Sequence, residues 1–136
     1  MKIRKDSWAI TQAIIRRYPE NKRMYEENRM RLLEGSAPLS DGQPRGNLHE
    51  NRLEKIICDL HDPKMERMAR EIEAVETVYR SLQEDYKQAV RIRFWSYRHK
   101  NMPYKWMPQC ANYSERQIRR ICDGFVKEVG KKIGEI

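Results

Sequence analysis

The sequence predicts an all-α protein, and three observations carry that expectation. Apolar residues recur at steps of three and four along nearly the whole chain, with no strand-like alternation of any length. Two strong helix-start signals are present, Asp62 followed by Pro63 and Ser114 with Gln117 three residues on. Glycine and proline concentrate in residues 35–47, which hold three of the six glycines and two of the six prolines. With 136 residues, 39% hydrophobic and 35% charged, the chain suits one domain, or a small domain with a helical arm, and not a disordered or low-complexity segment.

Residues 3–18 carry Ile3, Trp8, Ile10, Ile14, Ile15 and Tyr18 at helical spacing, and Pro19 is expected to end that helix. A second helix is expected over 20–34, with Met24, Tyr25, Met30, Leu32 and Leu33. Residues 1–34 thus read as an N-terminal basic helical arm and 35–47 as a flexible linker, leaving 48–136 as a helical domain. Helix resumes near Leu48, with Leu53, Ile56, Ile57 and Leu60 on one face. Asp62 caps the next helix and Pro63 takes its first position, where the missing amide costs nothing. From there Met65, Met68, Ile72, Val75, Tyr79 and Leu82 form a heptad-like seam. Three heptads are few for a coiled-coil dimer, so packing within the chain is the favoured reading and dimerisation the alternative. Residues 84–97 make a further helix with Tyr86, Ala89, Val90, Phe94 and Tyr97 on one side.

The net charge is +8, unevenly spread. Residues 1–33 carry +5, residues 34–62 carry −3, residues 63–85 carry −2, and residues 86–136 carry +8. A basic excess gathered on one element suits a polyanion, because its side chains displace counterions condensed on nucleic acid. Cys58, Cys110 and Cys122 contain no Cys-x-x-Cys pair, and Cys58 with His61 is only a fragment of a zinc spacing. Buried thiols acting as small apolar side chains are expected, with no disulfide, metal or cofactor. No run approaches a spanning helix or a signal peptide, so the expectation is a protein with no membrane partner.

The informative stretch is a helix-turn-helix over 102–129. Met107, Ala111, Tyr113, Ile118 and Ile121 supply apolar contacts, and Asn112 sits where the turn wants a residue tolerant of positive φ. Ser114 and Gln117 form an S-x-x-Q capping box. On the helix that follows, Ile118, Ile121, Cys122, Phe125 and Val129 face inward at about 100° per residue, while Arg116, Arg119, Arg120, Asp123 and Lys127 face out. A recognition helix has this division, with one face packed and long donors offered to a major groove. Capped amphipathic helices with basic outer faces also occur in proteins that never touch DNA, so the motif gains weight from its coincidence with the +8 segment.

These elements, together with the runs YKQAVRIRFW and SERQIRRICDGFVKEVGKKIG, resemble the RinA/ArpU-type phage transcriptional regulators over nearly the whole chain. The C-terminal half is similar to the fourth region of bacterial sigma factors. The resemblance implies a helical arm followed by a sigma-region-four-like helix-turn-helix domain. It further implies a sequence-specific regulator, activating late packaging and structural genes in the cytoplasm of a bacterial host. Ser114, Arg116, Arg119 and Arg120 match the start and outer face of the family's recognition helix, whereas Met107 and Pro108 replace an Ile-Ala pair and Ala111 replaces a leucine.

Double-stranded DNA is therefore the expected partner, bound as a monomer or homodimer, with Arg116 and Arg120 reading base edges and Glu115 and Gln117 as secondary readers. Lys100, Lys105, Ser114, Arg119 and Lys127 are expected on phosphates, with Asn112 and Tyr113 at the turn completing the interface. Two other classes compete: a DNA-packaging adaptor of the small terminase kind, and a protein-binding module engaging host RNA polymerase. An enzyme is not expected, since three scattered histidines and the lack of a phosphate loop or nucleophile motif assemble no catalytic set.

Overall fold

The computed structural model describes residues 3–34, 46–96, 104–105 and 113–136, with side chains from residue 51 in the second stretch. All regular structure among them is helical: α1 (Lys5–Glu34), α2 (Gly46–Leu60), α3 (Pro63–Arg80), α4 (Glu84–Val90), a π-helical turn (Arg91–Trp95) and α5 (Glu115–Ile133).

The chain forms two compact units, Met1–Pro19 with Glu71–Ile136, and Glu20–Arg70. This division differs from the arm, linker and domain read from the sequence at 34/35 and 47/48. The first half of α1 is part of the C-terminal unit because Ile14 and Ile15, 5% and 0% exposed, belong to one core with Val75, Val78, Val90, Phe94, Ile118, Cys122, Phe125, Val126 and Val129. Each large apolar side chain so buried contributes on the order of 1.5 to 3 kcal/mol. Trp95 gathers the aromatics of this unit, with Tyr18 and Tyr79 each 5.3 Å away between ring centroids and Phe125 at 6.0 Å. Arg17 donates through Nη2 to both carboxylate oxygens of the buried Glu71, at 2.8 and 2.9 Å, which gives the buried carboxylate a counter-charge.

Pro19 does not end the first helix as its sequence position predicts; it lies inside α1. An interior proline leaves the carbonyl four residues back without a donor. That carbonyl belongs to Ile15, and the indole N–H of Trp95 donates to it at 2.6 Å. The tertiary bond supplies what the helix lacks, so the helical backbone persists.

In the second unit, α2 begins at Gly46, within the stretch expected to be linker; residues 35–45 lie outside the described residues. Asp62 caps α3 as expected, its Oδ1 accepting the Lys64 N–H at 3.3 Å. Ile56, Met65 and Met68 are buried, while Met24, Met30, Leu33, Leu53 and Ile57 are exposed. The α3 seam has buried residues on both sides of the division, Met65 and Met68 in this unit and Ile72 and Val75 in the first. Cys58 is exposed, contrary to the expectation of buried thiols, because it faces away from Ile56 on α2; Cys122 is buried as expected.

The helix expected over 84–97 is broken into α4 and the π-helical turn. The Ser96 N–H reaches the Arg91 carbonyl at 2.7 Å, spanning five residues in place of four. The extra residue lets Phe94 enter the core (1% exposed) while Trp95 reaches α1.

Candidate functional site

The candidate site is the outer face of α5 and the residues that hold it. Ser114 stands at φ −68° and ψ 160°, outside the helix, and its Oγ accepts the Gln117 N–H at 3.3 Å while Gln117 Oε1 accepts the Ser114 N–H at 3.0 Å. The capping box read from the sequence is therefore built, satisfying two amides that the first turn leaves orphaned. Glu115 suits the positive end of the helix dipole, and Lys131 and Lys132 suit the negative end. Gly134 closes the helix at φ 87°, and the amides of Gly134, Glu135 and Ile136 all converge on the Gly130 carbonyl at 2.9 to 3.1 Å.

The inner face is fixed. Ile118, Cys122, Val126 and Val129 are fully buried and Phe125 is 1% exposed, with Ile121 half-buried at the edge. Val126 was not among the predicted inward residues. Burial pushes the Cys122 thiol up to about 12, overcoming the pull of Arg93, so the thiol is neutral and serves as packing.

On the outer face Arg116, Arg119, Arg120 and Lys127 are exposed, and Arg116, Arg120 and Lys127 fall within about 40° of one another around the helix axis. Arg119 is held differently. Its guanidinium carbon lies 4.7 Å from the centroid of the Tyr104 ring and its Nη2 is 3.5 Å from Glu115 Oε1. The Arg93 guanidinium lies over the same ring at 4.0 Å. Asp123, half-buried, sits among Arg93, Arg119 and Tyr104; desolvation raises its carboxyl above the ordinary value, outweighing Arg119, Arg93 and the Tyr104 hydrogen bond. Burial likewise raises the Tyr104 hydroxyl, with Cys122 adding to the shift. Arg16 stacks on Phe94 at 5.5 Å, and burial, then Arg93, lowers its pKa.

Of the residues the sequence places in the interface, Arg116, Arg119, Arg120 and Lys127 share α5, and Lys105 is exposed next to Tyr104. Ser114 and Gln117 are exposed but engaged with each other in the cap. Tyr113 is turned to α4, its ring 5.9 Å from Tyr86 in an edge-on arrangement and its hydroxyl 3.4 Å from Asp85. Desolvation and then the Asp85 charge raise its pKa. Lys100, Met107, Pro108, Ala111 and Asn112 lie outside the described residues, as does the first helix of the expected helix-turn-helix.

Sequence reasoning missed the grouping of Arg93, Tyr104, Arg119 and Asp123. Arg119 and Asp123 stand four residues apart on α5, but no periodicity brings Arg93 and Tyr104 to them; the guanidinium groups of Arg93 and Arg119 lie over the same Tyr104 ring. Compared with protein-family models, curated proteins and solved structures, the chain matches none. Among the described residues no helix is long and apolar enough to cross a membrane.

Proposed function

We propose that the protein is a sequence-specific DNA-binding transcriptional regulator, with the first half of α5 in the major groove. The observation that carries this reading is α5 itself. Its capped start and buried inner face leave Arg116, Arg120 and Lys127 together on one exposed face. The rigid seat matters because donors on a fixed helix lose little freedom when they meet base edges. Arg116 and Arg120 are the base readers, suited by their planar fork to guanine O6 and N7. Lys105, Arg119 and Lys127 are the phosphate contacts, joined by Lys100, and Tyr104 orients Arg119. Ser114 and Gln117 act first through the cap and Tyr113 through α4, which makes them supports of the reading helix more than readers. The resemblance to RinA/ArpU-type regulators adds the expectation that the genes controlled are late phage genes, activated with host RNA polymerase.

The test is fluorescence-anisotropy binding to duplexes tiled across the DNA around the protein's own gene, against a scrambled duplex, at two salt concentrations. A regulator selects one tile by a factor of at least ~10³. Equal, salt-sensitive binding to every tile replaces this reading with a packaging role, and no binding to any duplex replaces it with a protein-binding one.

A further inference from the structure

Three glycines in and after α5 differ in what holds them as glycine. Gly134 needs its positive φ, and a Cβ on Gly130 would run into the side chain of Ile136. Gly124 has neither reason. It is exposed in the middle of α5, and among the described residues no atom beyond its chain neighbours and the backbone of its own helix comes within 4 Å of where its Cβ would stand. Glycine is among the poorest residues for a helix interior, so the fold gains nothing from it there.

The surroundings of Gly124 are basic. Arg120, Gly124, Lys127 and Lys131 follow one another at steps of four, three and four, a single stripe along α5. At its far end the stripe opens into a cleft of about 540 Å³ within the same compact unit. Lys127, Lys131 and Arg4 line it together with Glu135, and Ile3 and Ile136 form its apolar walls. The side chains lining the cleft carry three cations and one carboxylate, an excess that suits an anion. Arg4, brought here by the start of α1, has no place in the interface read from the sequence. Its Asp6 partner at 2.9 Å and the Glu128 partner of Lys131 at 3.4 Å are exposed surface pairs that a phosphate can displace cheaply.

We propose that α5 crosses the phosphodiester backbone of bound DNA at Gly124, and that a phosphate of that strand is held between Lys127, Lys131 and Arg4. The proposal rests on the reading of α5 as a groove-reading helix. A helix entering a groove of about 12 Å by its N-terminus reaches the wall near Gly124, roughly 13 Å along the axis from Glu115. There a missing side chain lets the backbone of the protein approach the strand closely, as glycine does at other phosphate contacts. The residues beyond then lie over phosphates, where lysine and arginine are needed and base-reading groups are not.

Gly124→Ala, Arg4→Ala and Lys131→Ala test this on the full chain, with Lys132→Ala as control. Lys132 loses the same charge one residue further on, about 100° around the helix. The expected result for Gly124→Ala has opposite signs in two readouts: Tm rises by about 4 °C, while Kd for the preferred duplex rises about fivefold or more, as for a methyl forced into a close contact. Arg4→Ala and Lys131→Ala each lower the slope of log K against log salt by about one, equally on preferred and scrambled duplexes. Lys132→Ala leaves the slope unchanged. Wild-type affinity in Gly124→Ala, or slopes for Arg4→Ala and Lys131→Ala no different from the control, overturns the proposal while leaving α5 as the reading helix. A wild-type protein that binds no duplex overturns both.

Discussion

The indole N–H of Trp95 donates to the main-chain carbonyl of Ile15 at 2.6 Å, across 80 residues, at the position that Pro19 deprives of a helical donor. Trp95→Phe keeps most of the ring but leaves a buried carbonyl without a partner, and should cost about 1 to 3 kcal/mol. Pro19→Ala restores an amide in register with that carbonyl and should recover part of the loss in the double variant. Urea unfolding of the two single variants and the double measures this coupling. Strict additivity would show that the two residues do not share the Ile15 carbonyl.

The cap of α5 yields a second prediction, because it is local and replaceable. Ser114→Ala should lower stability by about 1 kcal/mol, whereas Ser114→Asp, which can still accept the Gln117 amide, should restore it. If Ser114 acts on DNA through the cap, its alanine variant weakens preferred and scrambled duplexes through helix fraying. The aspartate variant then separates the roles, recovering Tm while adding a charge that DNA repels. Thermal unfolding followed by helical circular dichroism checks the first part. Equal stability of Ser114→Ala and wild type would remove the cap from the account of this helix.

What the sequence made legible was what is short-range. The Ser114 cap, the Asp62 cap and the alternation of Ile118, Cys122 and Phe125 with Arg116, Arg119 and Arg120 each depend on residues within a few turns of one another. The all-helical class followed from the same periodicity. What stayed hidden depends on partners far along the chain. Pro19 reads as a helix end until Trp95 is placed beside it, and residues 1–19 read as part of an arm until Ile14 and Ile15 join one core with Val126 and Val129. The π-helical turn is similarly a tertiary compromise: Phe94 and Trp95 must face two different neighbours within one turn. Arg119 was legible as basic and outward but not as stacked on Tyr104, since loop residues carry no period.

Arg116 and Lys105 should separate by the kind of loss they produce. Both are exposed, but Arg116 stands on the first turn of α5 and Lys105 stands beside Tyr104, off that helix. Arg116→Ala should cost about 1 to 3 kcal/mol on the preferred duplex and relax sequence preference at one base step. Lys105→Ala should weaken all duplexes alike and reduce the salt slope by about one. Binding isotherms on preferred and scrambled duplexes at several salt concentrations distinguish the two. Identical losses on both duplexes for both variants would defeat the assignment of reader and phosphate contact.

Asp123 makes the pH dependence of stability predictable in sign. Its carboxyl is raised above the ordinary 3.8, because desolvation exceeds the attraction of Arg119 and Arg93. Between 3.8 and the raised value the folded state holds a proton that the unfolded state has lost, so this residue's contribution to stability falls as pH rises through that window. Below 3.8 both states are protonated and the penalty vanishes; above the folded value it is fully present. Asp123→Asn keeps an oxygen that can accept from Tyr104 and cannot ionise. The variant should therefore match wild type at the acid end and become the more stable as pH increases, reaching a constant difference at neutral pH. It also removes an anion from the face proposed to meet DNA, so on that proposal the variant should bind every duplex more tightly at neutral pH, and less distinctly so as salt screens the charge. Urea midpoints for the two proteins across the acid range decide the matter. A stability difference that is independent of pH would mean that the Asp123 carboxyl is as well solvated in the folded protein as in the unfolded chain.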